Sequence, residues 1–210
     1  MSAELAAVGV EPSRDARLQA SRRLDWRFLL PQPELGTVAY VGPTEGSLWR
    51  ALELLVPAVT TIKIGEHAPG AHLAASNLVI NCGLDASSLT WAVGLLQPGG
   101  WLYCEGHGRG AFQGRRRGDL RTPLAVERLL AQLGIEEVAS YWHWPSFDHC
   151  TMILPLAPGP ALHHGLVGRH AGGGAGLRAL LGAALLGLGL PRRLAPCFSV
   201  VALRPSGGRS

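Results

Sequence analysis

Between residues 37 and 141, short β-branched and apolar runs alternate with stretches of helical periodicity. That alternation constrains the fold more than any other feature of the chain. Thr37-Val38-Ala39-Tyr40-Val41 reads as a first strand, closed by Gly42-Pro43. Leu48, Ala51, Leu52 and Leu55 then recur at helical spacing within residues 46–56. Further strands are predicted over 59–64, 78–82, 101–104 and 136–141, with helices over 87–96 and 123–133. Pro123 suits the first turn of the latter. Strands apolar on both faces imply a mainly parallel sheet covered by helices on both sides. Right-handed crossovers place a ligand site at the carboxyl ends of such strands. That rule selects residues 42–46, 63–66, 81–83 and 105–107, and His143-Trp144.

The flanks are less regular. Residues 13–30 predict a helix carrying Leu18, Leu24 and Trp26. Beyond Trp144, a strand is expected over 150–156, then a Gly- and His-rich stretch over 158–176. A glycine-broken apolar helix over 177–190 and a last strand over 198–203 follow. The reading divides the chain into an N-terminal helical extension (1–36), a Rossmann-like domain (37–144 and 198–205), an insertion or cap (145–197) and a disordered tail (206–210).

Composition excludes several function classes. A hydrophobic content of 47% in 210 residues suits a soluble domain with a substantial core. Net charge is +4, and Lys63 is the only lysine among 19 basic residues, which argues against a lysine-rich nucleic-acid surface. No apolar run reaches the roughly 18 residues of a membrane span. The polar N-terminus lacks a signal-peptide pattern, and Cys82, Cys104, Cys150 and Cys197 form no CxxC pair. Free thiols in a cytoplasmic setting are expected.

Three segments resemble class I S-adenosylmethionine-dependent methyltransferases. Val38-Ala39-Tyr40-Val41-Gly42-Pro43-Thr44-Glu45-Gly46 lies where that family has its glycine-rich loop. Asn77-Leu78-Val79-Ile80-Asn81 is followed by a helix and Leu96-Gln97-Pro98-Gly99-Gly100-Trp101-Leu102, the most specific of the three. Ser199-Val200-Val201-Ala202-Leu203-Arg204-Pro205 looks like the family's last strand. The resemblance implies an S-adenosylmethionine site formed by Gly42, Thr44, Gly46, Lys63, Glu66 and Asn81.

That site departs from the family pattern. Tyr40 stands where the first strand carries an acidic residue, and Thr44 where the loop has its middle glycine. Lys63 replaces the carboxylate that accepts from the cofactor ribose; a lysine only donates. Glu66, three residues on, is the nearest substitute. Only 12 residues separate Ile64 from Asn77, too few for the helix, strand and helix that the family has there. The expected sheet is therefore shortened by one β-α unit, with an insertion before its last strand.

Chemistry is expected on the far side of the cleft. His143, among Tyr141, Trp142, Trp144 and Phe147, is a candidate general base, with Asp148 to orient it. Glu105 and His107 follow the fourth strand and could share that cleft. His143, His149, Cys150, Cys104 and His107 are metal-ligand types, but none shows a recurring zinc spacing, so no metal is expected. Three functions fit. The first is a methyltransferase-like binding or partner subunit with a degenerate cofactor site, serving bacterial small-molecule or cell-envelope biosynthesis. The second is an active methyltransferase on a small molecule. The third is an enzyme taking an anionic ligand through Lys63, Arg115, Arg116, Arg117 and Arg121. Partners would be a small molecule or a protein, in a homo- or hetero-oligomer.

Overall fold

The computed structural model describes residues 12–62, 76–83, 85–108, 120–135, 137–164 and 190–206. Helix α1 (Arg14–Arg23) is capped by Ser13, whose Oγ accepts from Ala16 N at 3.2 Å. The helix expected over 13–30 divides here: α1 stops at Arg23, and a 3-10 turn follows over Asp25–Leu29. Two causes act together. The turn brings Leu24 and Trp26 into full burial, and Leu30 must be extended ahead of Pro31.

Seven strands form one sheet in the order β2-β1-β3-β4-β7-β5-β6. These are β1 (Thr37–Val41), β2 (Ala58–Ile62), β3 (Ser76–Asn81), β4 (Leu96–His107), β5 (Glu137–Trp144), β6 (Met152–Pro155) and β7 (Cys197–Leu203). The pairs β1–β2, β1–β3 and β3–β4 are parallel, whereas β7 is antiparallel to both β4 and β5, and β6 to β5. Helices α2 (Ser47–Leu55), α3 (Ala86–Gly94) and α4 (Pro123–Gln132) are the crossovers, with short turns α5 (Pro160–His163) and α6 (Pro191–Leu194) beside β6 and β7. This is a mostly parallel α/β sheet of the expected class. Among the described residues β2 is an edge strand; residues 63–75, where the shortened unit was expected, lie outside them.

Side chains alternate between two cores, as strand geometry requires. Val38 and Tyr40 join α1, the 3-10 turn and α2 on one face; Ala39 and Val41 join α3 and α4 on the other. Each face therefore has its own apolar layer.

Two strands run further than their patterns suggest. Strand β4 begins at Leu96, ahead of the Pro98-Gly99-Gly100 triplet. Ser76 pairs with Leu96 but Leu78 pairs with Trp101, so the triplet forms a bulge in one continuous strand. Gly99 has φ +77, and a Cβ on Gly100 would meet three backbone oxygens within 3.2 Å. Strand β5 continues to Trp144, pairing Trp142, His143 and Trp144 with β6. The helix expected over 177–190 falls almost wholly outside the described residues. No helix among those residues is long and apolar enough to cross a membrane.

Candidate functional site

The chain leaves β1 for β2 on one side and then returns to β3 on the other, so the sheet's switch point lies at the carboxyl ends of β1 and β3. The loop after β1 is fastened from below. The Tyr40 side chain is buried and its hydroxyl donates to the Pro43 carbonyl at 2.8 Å. Burial pushes the Tyr40 phenol well above its ordinary range, so it stays a neutral donor. A Cβ on Gly42 would approach Cys82 Cβ to 2.9 Å and the Tyr40 hydroxyl to 3.2 Å. The loop thus rests directly on Tyr40 and Cys82. Burial lifts the Cys82 thiol to about 12. Thr44 is exposed, and Gly46, at φ +115, turns the chain into α2.

Asn81, at the end of β3, is fully buried and internally satisfied. Its Oδ1 accepts from Gly83 N at 3.1 Å and from Ser88 Oγ at 2.8 Å, while its Nδ2 donates to the Gly83 carbonyl at 2.9 Å. It locks the β3–α3 turn, which Asp85 caps by accepting from Ser88 N at 2.8 Å. Lys63 and Glu66 lie outside the described residues, as do Arg115, Arg116 and Arg117; Arg121 is half-buried.

The centre of the site is an arginine that the sequence reading did not select. Arg23, the last residue of α1, reaches across to Glu105 on β4. Its Nη1 and Nη2 donate to the two carboxylate oxygens at 2.6 and 2.5 Å. Side-chain exposures of 9% and 6% make this a buried bidentate pair. Burial alone would depress the guanidinium, but the hydrogen bond and charge of Glu105 hold it above its ordinary value. Tyr103 donates to Glu105 Oε1 at 2.7 Å, and its ring stacks on Trp26 at 3.7 Å between centroids. Arg23 Nε donates to Ser47 Oγ at 3.0 Å and lies 3.5 Å from Asp148. Ser47 in turn donates to Asp148. The guanidinium also sits 5.1 Å from the centroid of the Phe147 ring.

The remaining candidates gather beneath Phe147. Register places Ser199 of β7 between Glu105 of β4 and Tyr141 of β5. His143 is buried, with Nε2 2.8 Å from Ser199 Oγ and Nδ1 3.7 Å from Cys150 Sγ. Burial, followed by the charge of Arg23, lowers His143 to about 3, so its imidazole is neutral across the physiological range. Asp148 was expected to orient His143; its hydrogen bond goes instead to Ser47, because the 145–150 turn carries it towards the start of α2. Ser199 and Cys150 hold the imidazole. His107 is exposed, 3.6 Å from Cys197 Sγ and edge-on to Phe147 at 5.1 Å. No cluster of three or more metal-ligating side chains occurs among the described residues.

Glu105, His143, His107 and Asp148 therefore do share one region. Arg23, Ser47, Tyr103 and Ser199 were missed, and Phe147 was read only as an aromatic neighbour of His143. Arg23 belongs to a polar helix whose pattern carries no hint of a 2.5 Å contact 82 residues away; only the tertiary fold could identify it. Chemically, Glu105 has both oxygens engaged, and His143 is a weak base.

No protein-family model matches the chain, and no curated protein matches it. A solved structure from Thermotoga maritima, described as a SAM-dependent methyltransferase and possible histamine N-methyltransferase, is similar with a TM-score of 0.50. Identity is 13%, over 90% of this chain and 91% of that one. At that identity the likeness concerns architecture, and the architecture of this chain is that of a class I methyltransferase-like α/β fold.

Proposed function

We propose that this chain is a methyltransferase-like protein with a degenerate cofactor site, its cleft bridged from within on the side of Glu105, and that it serves as a binding or partner subunit. Bacterial small-molecule or cell-envelope biosynthesis is the setting proposed for it. The observation that carries the reading is Arg23. Its side chain, supplied by the N-terminal extension, bridges Ser47 at the start of α2 and Glu105 at the end of β4.

The fit to S-adenosylmethionine supports the same reading. A cofactor in this fold needs an acidic acceptor under the loop and close approach to loop backbone. Tyr40 supplies no carboxylate, and its hydroxyl is committed to Pro43. The underside of Gly42 is covered by Cys82 and Tyr40. The one carboxylate at the end of β4 is neutralised by Arg23 and further held by Tyr103. The anionic-ligand reading rests on Lys63, Arg115, Arg116 and Arg117, which lie outside the described residues, and on Arg121. Among the described residues, the one cation seen at the candidate site, Arg23, faces two carboxylates, Glu105 and Asp148.

Thermal unfolding with added S-adenosylmethionine tests the proposal. A bound ligand at 100 times its Kd stabilises a protein by about 2.7 kcal/mol. The expected result is no rise in Tm at millimolar cofactor. A dose-dependent rise would overturn the proposal in favour of the active enzyme.

A further inference from the structure

The opposite end of the sheet holds a second site, independent of anything proposed for the carboxyl end. The turn into β1, the start of β3 and the bulge of β4 border a solvent-open pocket of about 440 Å³, within the usual range of about 300–1,000 Å³ for small-molecule sites. Trp101, Gln97, Asn77, Glu34, Thr37 and Gly36 line it. It lies the length of β1 away from Gly42, about 16 Å at ~3.3 Å per residue.

The chemistry of the lining narrows the ligand. No lysine, arginine or histidine is among the described residues that line it. The C-terminal end of helix α3, with Leu95 as its C-cap, also lies on this side, but Arg204 Nη1 donates to the Val93 and Leu96 carbonyls there. The lack of a cation in the lining disfavours an anion. The amides of Asn77 and Gln97 and the hydroxyl of Thr37 each donate and accept, whereas Glu34 only accepts. Such a set complements a ligand whose own groups both donate and accept around a compact ring. Trp101, half-buried, adds a flat apolar surface that suits the C–H face of that ring. A simple amine would use Glu34 and Trp101 but would leave Asn77, Gln97 and Thr37 without complementary groups. We infer that this cavity binds a neutral pyranose sugar, stacked on Trp101 with its hydroxyls on Asn77, Gln97, Thr37 and Glu34.

Two variants test the site. A Cβ on Gly36 would meet no heavy atom within 4 Å, and Gly36 is not among the positive-φ glycines. Gly36→Phe therefore adds bulk at the cavity wall without strain in the fold. Trp101 also packs on the core, so Trp101→Leu removes the aromatic platform while keeping an apolar group. Glucose, galactose, mannose and N-acetylglucosamine are each titrated to about 50 mM, a range that captures a weak solvent-open site. Binding is read by saturation-transfer NMR and calorimetry, with ethanolamine and inorganic phosphate as comparison ligands. The expected result is saturable, low-millimolar binding of at least one sugar, weakened tenfold or more in both variants and unchanged in Ser47→Ala. Failure of all four sugars to saturate the folded protein would overturn the inference. So would undiminished affinity in Gly36→Phe or, should that variant not fold, in Trp101→Leu. Tighter binding of ethanolamine or phosphate than of any sugar would also overturn it.

Discussion

Replacing Arg23 by alanine tests the interaction that organises the candidate site. Arg23 and Glu105 are 9% and 6% exposed, and two short hydrogen bonds join them. Arg23→Ala leaves the Glu105 carboxylate buried, with the Tyr103 hydroxyl as a remaining donor. Removing one member of a buried pair typically costs about 3–5 kcal/mol, chiefly through the charge left behind. Asp148 adds little, because it is 59% exposed and exposed pairs are worth about 0–1 kcal/mol. For a domain of this size, 1 kcal/mol corresponds to about 2–4 °C. Arg23→Ala should therefore lower Tm by ~6–20 °C. Circular dichroism during heating and urea unfolding gives the number. The double variant Arg23→Met/Glu105→Gln removes both charges and should recover most of the loss; with Arg23→Met and Glu105→Gln as its single variants, the cycle should give a coupling energy of about 2 kcal/mol or more. A loss below about 1 kcal/mol in Arg23→Ala, the value of a solvated pair, would refute the reasoning. It would mean that water already reaches Glu105.

Three further outcomes follow from individual contacts. The folded chain holds His143 at about 3, whereas the unfolded chain titrates it near 6.5. Its neutral form thus contributes stability fully above pH ~6.5, and that contribution is lost as pH falls towards 3, by about 1.4 kcal/mol per pH unit. Urea unfolding between pH 7 and pH 5 should show that slope in the wild type and a shallower one in His143→Gln; equal slopes would contradict it. Gly106 lies under the fully buried Phe198 ring, and an added Cβ would overlap it. Gly106→Ala should cost about 1–3 kcal/mol by chemical denaturation, and a neutral effect would show that the ring has room to move. Tyr40→Phe removes the hydrogen bond to Pro43 and should cost about 0.5–1.5 kcal/mol. Hydrogen exchange in residues 42–46 should rise with it; unchanged exchange would mean the loop is held by other contacts.

The sheet was legible because its strands carry their own signals. Val38 and Tyr40 alternate with Ala39 and Val41, and each pair enters a different core. The Pro98-Gly99-Gly100 triplet marked β4 correctly, although it forms a bulge inside the strand and not the turn before it. The carboxyl-end rule also selected Glu105, His107 and His143, which lie in one region. What sequence could not supply was partnership. Asp148 was assigned to His143 through proximity in the chain, but a turn of a few residues redirects it to Ser47. Arg23 was invisible for a related reason: a polar helix end looks solvated until the fold brings Glu105, Ser47 and Asp148 to it. The protonation behaviour of His143 was equally hidden, since it depends on burial between β6, β7 and Phe147 and on the nearby Arg23 charge. The amino-end cavity rests on residues from three separate segments, none of which forms a motif.

Calorimetric titration of S-adenosylmethionine into the wild-type chain tests the central claim most directly. With Arg23 paired across the end of the cleft and Tyr40 beneath the loop, no saturable heat is predicted up to about 1 mM cofactor, an affinity below about 4 kcal/mol. A saturable isotherm with a micromolar Kd would contradict the account. It would place this chain among the proteins that use the cofactor for which the fold is known.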